Sequence, residues 1–312
     1  MMSIHRHPFK AMACDCEIVI ASQPDSATPS SNNTNGDSAE SLAVKCAIEE
    51  VLRIQQKYSR YSDMSVISQI NQAAGYAPVE VDTETWSLLN YADILYRSSR
   101  GRFDITAGVL RQVWRFDEAR LPSEADLAAY QNLIGWTDVE RHDQQIKLPK
   151  VGMELDFGGF GKEYAVDRAA QKLMENGIKS GYVNLGGDLR VIGPKPDGSD
   201  WQIGIQNPRA PEQILATMPI AQGALATSGD YQRYFDLDGQ RYCHILNPQT
   251  GWPVRYWRSI SVTAPLASMA GSCTTIAMLL EADGLEFLEQ AGVNYLAVDH
   301  AGLIYQTKPL GP

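Results

Sequence analysis

Residues 155–170 read LDFGGFGKEYAVDRAA: an aspartate, three closely spaced glycines and a lysine, then a helical pattern. Val166, Ala169, Ala170, Leu173 and Met174 fall at helical spacing, which predicts an amphipathic helix over about 160–176, closed by Gly177. No Ser, Thr, Asp or Asn stands at positions 157–161 to cap its first amides. Glycines there let another group approach the backbone closely. Unpaired amides at the positive end of a helix suit an anion such as a phosphate. A tight strand-to-helix turn capped by water is the alternative, and this segment alone leaves both open. Asp156 is expected to serve a bound ligand more than stability.

Two well-known phosphate loops do not fit. A Walker A loop needs a glycine where Asp156 stands and Ser or Thr where Glu163 follows Lys162. The dinucleotide pattern G-x-G-x-x-G fails at Tyr164. Other segments mix polar and apolar residues in the same suggestive way. GRFDITAGVL, residues 101–110, sets Asp104 and Thr106 in an apolar stretch. ATSGDYQRYF, residues 226–235, reads as a polar turn before an aromatic strand. YCHILNPQTGWPV, residues 242–254, holds His244, Asn247 and a Pro-Gln-Thr-Gly turn.

The elements that must position these residues read as an α+β protein, with mixed β-sheets and flanking helices, in one domain spanning residues 1–312. Helices are expected at 42–58, 65–71 with Ser65 as cap, 83–99, 105–116 and 124–132, and late in the chain at 268–280 and 284–291. Strands are expected at 12–21, within 151–158, as a pair over 181–193, at 201–206, 214–219, 231–236, 242–246 and 258–264, and as a terminal pair at 294–299 and 302–306. Residues 22–41 lack large apolar side chains and are expected to form a disordered surface loop.

Composition narrows the partners. The 312 residues are 44 % hydrophobic and 21 % charged, with a net charge of −10. That acidity argues against nucleic acid, so phosphate must be held locally by amides, a metal or a few cations. No apolar run is long enough for a membrane span. The start shows no signal-peptide pattern, which leads to the expectation of a cytoplasmic protein. Five scattered cysteines argue against a disulfide framework, and Cys14 and Cys16 read as two half-buried thiols on one strand face.

In their order along the chain, Met12, Ser59-Arg60-Tyr61, SVISQIN, FDIT, DFGGFGKEY, VNLGGD, TSGDY and HILNPQTGWP resemble the FAD:protein FMN transferases, the ApbE-like flavin transferases. The resemblance spans roughly residues 10–305 and implies that family's fold. It implies FAD as substrate, with flavin contacts at Met12, Tyr61, Arg102, Phe103, Asp104, Asp156, Lys162 and Leu246. It implies magnesium held by the carbonyl of Gly159 and the side chain of Thr275. The implied reaction moves the FMN part of FAD to a Ser or Thr hydroxyl of an acceptor protein, such as a subunit of an electron-transfer flavoprotein system, and releases AMP.

One departure stands out. Where the family pattern A-D-A-x-x-T carries a metal-binding aspartate, this chain reads SMAGSCTT and has Gly271. The lysine block also reads K-E-Y where many members read K-G-Y. Magnesium prefers hard, charged oxygens, so a lost carboxylate is expected to weaken the metal site. That expectation keeps two further functions in view: a flavin-binding or flavin-delivering module, and an FAD pyrophosphatase with water as acceptor.

Overall fold

Strand alternation explains the central layer. In the computed structural model, which describes residues 2–23 and 39–307, successive side chains of several inner strands enter two different apolar clusters. Ile18 and Ile20 face one cluster while Val19 and Ala21 face the other; Ala224 and Ala226 face the first while Leu225 faces the second. A strand buried on both faces needs cover on both sides. Helices cover one face, and a long β-hairpin covers the other.

The chain opens with β1 (Ser3–Ala11) and β2 (Cys14–Ser22), then α1 (Ala39–Tyr58), α2 (Val66–Gln72), β3 (Val79–Glu80) and α3 (Thr83–Ser98). A 3₁₀ segment (Ile105–Gln112), α4 (Glu124–Gln131), β4 (Glu140–His142) and β5 (Gln145–Lys147) lead to α5 (Gly161–Glu175). Next come β6 (Gly181–Leu185), β7 (Asp188–Gly193), β8 (Trp201–Asn207), β9 (Ala210–Ile220), β10 (Gly223–Gly229), β11 (Tyr234–Leu237), β12 (Gln240–Cys243) and β13 (Trp257–Ala264). The chain closes with α6 (Ala267–Leu280), α7 (Gly284–Gln290), β14 (Asn294–Asp299) and β15 (Ile304–Gln306).

The architecture is α+β, as expected. Its sheets are one of eight strands in the order β1-β2-β6-β7-β10-β13-β14-β15, a small sheet β3-β5-β4, and the hairpins β8-β9 and β11-β12, with antiparallel ladders. α5 and α6 pack on the sheet and α1 on α5. The β8-β9 hairpin lays Trp201, Ile205, Met218 and Ile220 over the opposite face.

Several expectations need correction. β1 was not foreseen, because HRHPFK carries no alternating apolar face; it is an edge strand, where Pro8 costs no ladder bond. The expected strand within 151–158 is irregular: Met153, Leu155 and Phe157 are buried, yet Leu155 pairs with the side chain of Asn71, at 2.7 Å and 3.1 Å, in place of a neighbouring strand. The helix expected over 105–116 is a 3₁₀ segment ending at Gln112. The polar residues 226–229 lie inside β10, at the centre of the sheet. Of the loop expected at 22–41, residues 24–38 lie outside the described residues, Ser22 ends β2, and residues 39–41 open α1.

A charged cluster ties α1, α3 and α5 together. Glu84, in the first turn of α3, accepts hydrogen bonds from Arg53 at 2.7 and 2.9 Å, Lys57 at 2.6 Å and Tyr164 at 2.7 Å. The Arg53 bonds, against some cost of burial, hold its carboxyl far below the usual range. A depressed folded-state pKa stabilises the fold above the unfolded value of about 4.3, and that contribution drains away as pH falls below it. Glu84→Gln should therefore lower stability by about 1 kcal/mol at neutral pH, the site being partly open to water. Thermal melts from pH 7 down to pH 3 check this: the wild type should lose stability more steeply than the variant, and parallel curves would remove Glu84 from the account.

Candidate functional site

α5 begins without a side-chain cap, as the sequence suggested. Phe160 occupies the cap position, Phe160 and Gly161 donate their amides to the Phe157 carbonyl, and Tyr164 donates to Phe160. Gly159 must be a glycine, since a Cβ there would come within 2.8 Å of the Phe103 ring. Phe103 is itself held by its amide donating to Ser99 Oγ at 2.7 Å.

A cleft of about 360 Å³ opens at this helix start. Arg102, Phe103, Asp104, Asp156, Gly159, Lys162, Leu246 and Thr275 all line it. Eight of the ten expected positions thus converge from residues far apart in sequence. Met12 and Tyr61 are not in its wall. Met12 sits at the tip of the β1-β2 hairpin, where Met12 and Ala13 take φ of +50° and +59°. Those angles suit a two-residue hairpin turn but strain side-chain-bearing residues, and the Met12 amide donates to Gln55 of α1. Tyr61 is 82 % exposed, which excludes a core tyrosine, and the Arg60 guanidinium lies over its ring. A larger cavity, about 1030 Å³, lies elsewhere and holds none of these residues.

The charges in the cleft are mostly paired. Lys162 Nζ lies 2.6 Å from Asp188 Oδ2. Burial pulls the Lys162 pKa down, but the charges of Asp188 and Glu163 outweigh it and leave it raised, so the ammonium stays charged. Asp156 bonds Arg60 and accepts the Gly158 amide at 2.8 Å. Asp104 caps the 3₁₀ segment: Oδ1 accepts Thr106 N at 2.7 Å and Thr106 Oγ1 at 2.6 Å, and Oδ2 accepts Trp136 N at 3.1 Å. Burial raises its pKa despite those bonds. His244 lines the cleft with Nδ1 3.2 Å from the Arg233 carbonyl oxygen. Desolvation, with the charges of Arg233 and Lys162, lowers its pKa and favours neutral imidazole.

Glu163 differs from its neighbours. It is 7 % exposed, and its Oε2 is buried with no hydrogen-bond partner. Burial first, then the Asp188 charge, pushes its carboxyl up to about 8. The Glu163 side chain lies directly against Gly271, the position where the sequence reading misses a carboxylate. Thr275, one turn further along α6, has Oγ1 3.2 Å from Ser228 Oγ, and Ser228 also bonds Thr274 at 2.8 Å. Sequence reading missed Arg60, Glu163, Asp188 and Ser228 as site residues. All four lie inside quoted motifs, SRY, DFGGFGKEY, VNLGGD and TSGDY, but the pairings of Arg60, Asp188 and Ser228 cross 26 to 96 residues of chain.

Among the described residues no group of three His, Cys, Asp or Glu side chains is gathered to hold a metal. Cys14 and Cys16 are free thiols 3.6 Å apart. The cleft wall instead carries hydroxyls and carboxyls, among them Glu163 with its unpartnered Oε2.

Comparisons with known proteins agree with this geometry. A model of the ApbE family matches residues 12–297, a span that includes every residue lining the cleft. The protein named FAD:protein FMN transferase of Vibrio cholerae is 32 % identical over 254 residues, covering 79 % of this chain and 72 % of that one. Its namesake in Haemophilus influenzae is 30 % identical over 266 residues, covering 80 % and 76 %. The crystal structure of an ApbE protein from Thermotoga maritima superposes with a TM-score of 0.86 at 31 % identity, over 98 % of this chain and 97 % of that one. The chain belongs to the ApbE family.

Asp156, expected to serve a ligand more than stability, also has protein partners in Arg60 and the Gly158 amide. Asp156→Ala should orphan the Gly158 amide and strip Arg60, whose Nε is already buried without a partner. The ligand-free protein should lose about 1–3 kcal/mol. Urea denaturation without flavin checks this, and an unchanged midpoint would return Asp156 to a purely ligand-binding role.

Proposed function

We propose that this protein is a flavinyltransferase that moves the FMN part of FAD onto a Ser or Thr hydroxyl of an acceptor protein and releases AMP. The observation that carries the reading is the convergence of Arg102, Phe103, Asp104, Asp156, Lys162 and Leu246 on one cleft at an uncapped helix start. The name that the Vibrio cholerae and Haemophilus influenzae relatives share supports it. One apolar core running from Ala11 to Ala297 supports reading the chain as one domain.

In this reading the pyrophosphate of FAD lies at the start of α5, where the charged Lys162 and the positive end of the helix offset its charge. Met12 and the exposed Tyr61 contact the cofactor from outside the cleft wall. The acceptor hydroxyl oxygen forms a bond to the FMN phosphorus, the bond from that phosphorus to the bridging oxygen breaks, and AMP departs with that oxygen. The hydroxyl gives up its proton, and His244, held neutral, can accept it.

Magnesium fits the residues present. The Gly159 carbonyl and Thr275 hydroxyl would hold it, and the buried Glu163 Oε2, which has no hydrogen-bond partner, supports a further oxygen donor in the wall. When bound, such an ion neutralises phosphate charge as it builds during transfer. The acceptor is read as a subunit of a flavin-dependent electron-transfer system. The protein is read as working in the cytoplasm; no helix among the described residues is long and apolar enough to cross a membrane. The binding-module alternative drew its motive from Gly271, and the carboxyl of Glu163 beside that glycine speaks for the transferase reading.

Mass spectrometry of an acceptor protein incubated with this protein, FAD and magnesium should show a gain of one FMN unit together with free AMP. Free FMN with an unmodified acceptor would mean that water is the acceptor. FAD should bind more tightly than FMN or riboflavin. Lys162→Met should weaken FAD about tenfold or more and leave riboflavin almost unaffected, since a charge-assisted bond to phosphate contributes about 1.5–3 kcal/mol. Flavin fluorescence titration measures both, and equal losses for the two ligands would contradict a phosphate role.

A further inference from the structure

α5 and α6 are locked together just below the cleft. Asp167 of α5 accepts the amides of Ala267 and Ser268 at 2.9 Å each, and Ser268 Oγ at 2.7 Å. It therefore supplies the cap that α6 lacks from its own chain neighbours. One turn earlier on α5 stands Glu163, and one turn later on α6 stands Gly271, so the lock sets these two positions face to face. A Cβ on residue 271 would lie 2.6 Å from both Cγ and Oε1 of Glu163, and 2.8 Å from its Cδ. No side chain fits at 271 while Glu163 holds this rotamer. The carboxylate thus occupies the space that a short side chain on α6 would otherwise fill.

The surroundings leave that carboxylate without an assigned task. Lys162, next in the chain, is engaged with Asp188. Arg60 is engaged with Asp156. Glu163 makes no ion pair among the described residues, and its Oε2 is buried and unpartnered. A buried, unpaired carboxylate oxygen is costly and persists where something else satisfies it. Glu163 lines the same cleft as Gly159 and Thr275, and Thr275 follows Gly271 by one helical turn on α6.

We propose that Glu163 supplies the carboxylate ligand of a divalent-cation site completed by the Gly159 carbonyl and the Thr275 hydroxyl, and that Glu163 and Gly271 form an exchangeable pair. The charge reaches the site from α5 across a bare position on α6, instead of rising from α6 itself. This rests on the magnesium-assisted reading above. It also means that a carboxylate added at position 271 would not strengthen the site. With Glu163 in place, Gly271→Asp overpacks a filled space and sets two carboxylates against each other.

The test uses Mn²⁺ as the probe, with free Mn²⁺ followed by electron paramagnetic resonance, on the full chain with FAD and no acceptor. The wild type should bind one Mn²⁺, Glu163→Gln should weaken it by more than about tenfold, and the double variant E163G/G271D should regain most of the loss. Gly271→Asp alone should melt below the wild type. If the wild type binds and Glu163→Gln binds equally well, the assignment of Glu163 is overturned while the metal reading stands. If the wild type binds no Mn²⁺ with FAD present, the metal reading itself falls and takes the assignment with it. Should Glu163→Gln fail to fold, the double variant decides: folded but without Mn²⁺ binding, it overturns the exchange.

Discussion

The Asp167 carboxylate fixes the register on which the cleft depends. It sits on α5, accepts three hydrogen bonds from the first turn of α6, and receives Arg190 of β7 at 3.2 Å. A helix pair joined only by apolar contact could slide or rotate by a fraction of a turn at small cost. Directional bonds to a carboxylate remove that freedom. Because the lock lies one turn from Glu163 and Gly271, it sets the α5 wall of the cleft against its α6 wall. Ser228 of β10, bonded to Thr274 and Thr275, then ties α6 to the sheet beneath. Three layers of the fold meet at the site, each held to the next by polar bonds in an otherwise apolar core.

An acidic protein that handles a pyrophosphate faces an electrostatic problem, and the cleft shows a local answer. Two cations near the helix start, Lys162 and Arg60, each have an aspartate partner. Paired in this way they stay fixed and charged without a ligand, and the cost of burying them is offset. Arg102 and Arg233 also line the cleft and make no ion pair among the described residues, and Glu163 Oε2 has no hydrogen-bond partner. The guanidinium groups attract anion, and the Glu163 carboxyl can take a cation once it gives up its proton. A phosphate and a divalent ion entering together would satisfy both, which is why a cleft with few charged ligands of its own can still hold a metal.

The tip of the β1-β2 hairpin is strained. Met12 and Ala13 hold left-handed backbone angles that Asn or Gly would adopt more easily. The hairpin tip is nevertheless tied to α1 through Gln55. Residues held in disfavoured angles by surrounding structure are common beside binding sites, and here the strained tip carries the one expected contact residue that lies on β-structure outside the cleft wall.

Much of this protein could be read from residues in order. Helical spacing located α1, α3, α5 and α6 because burial on one face leaves a period that survives without neighbours, and Ser65 and Ser123 marked helix starts because a cap is a local bond. The motif order identified the family and named eight of the residues that line the cleft. Sequence could not show β1, whose polar edge has no buried face, nor that Thr227 and Ser228 sit mid-sheet, where hydroxyl bonds to Ser261 and Thr274 replace apolar packing. It made 155–157 look like a strand, since alternating burial was real but the pairing partner was the side chain of Asn71. Gly271 is the sharpest case. Read along the chain it is a missing carboxylate. Only the packing of α5 on α6, which brings together positions more than 100 residues apart, shows that Glu163 fills its space.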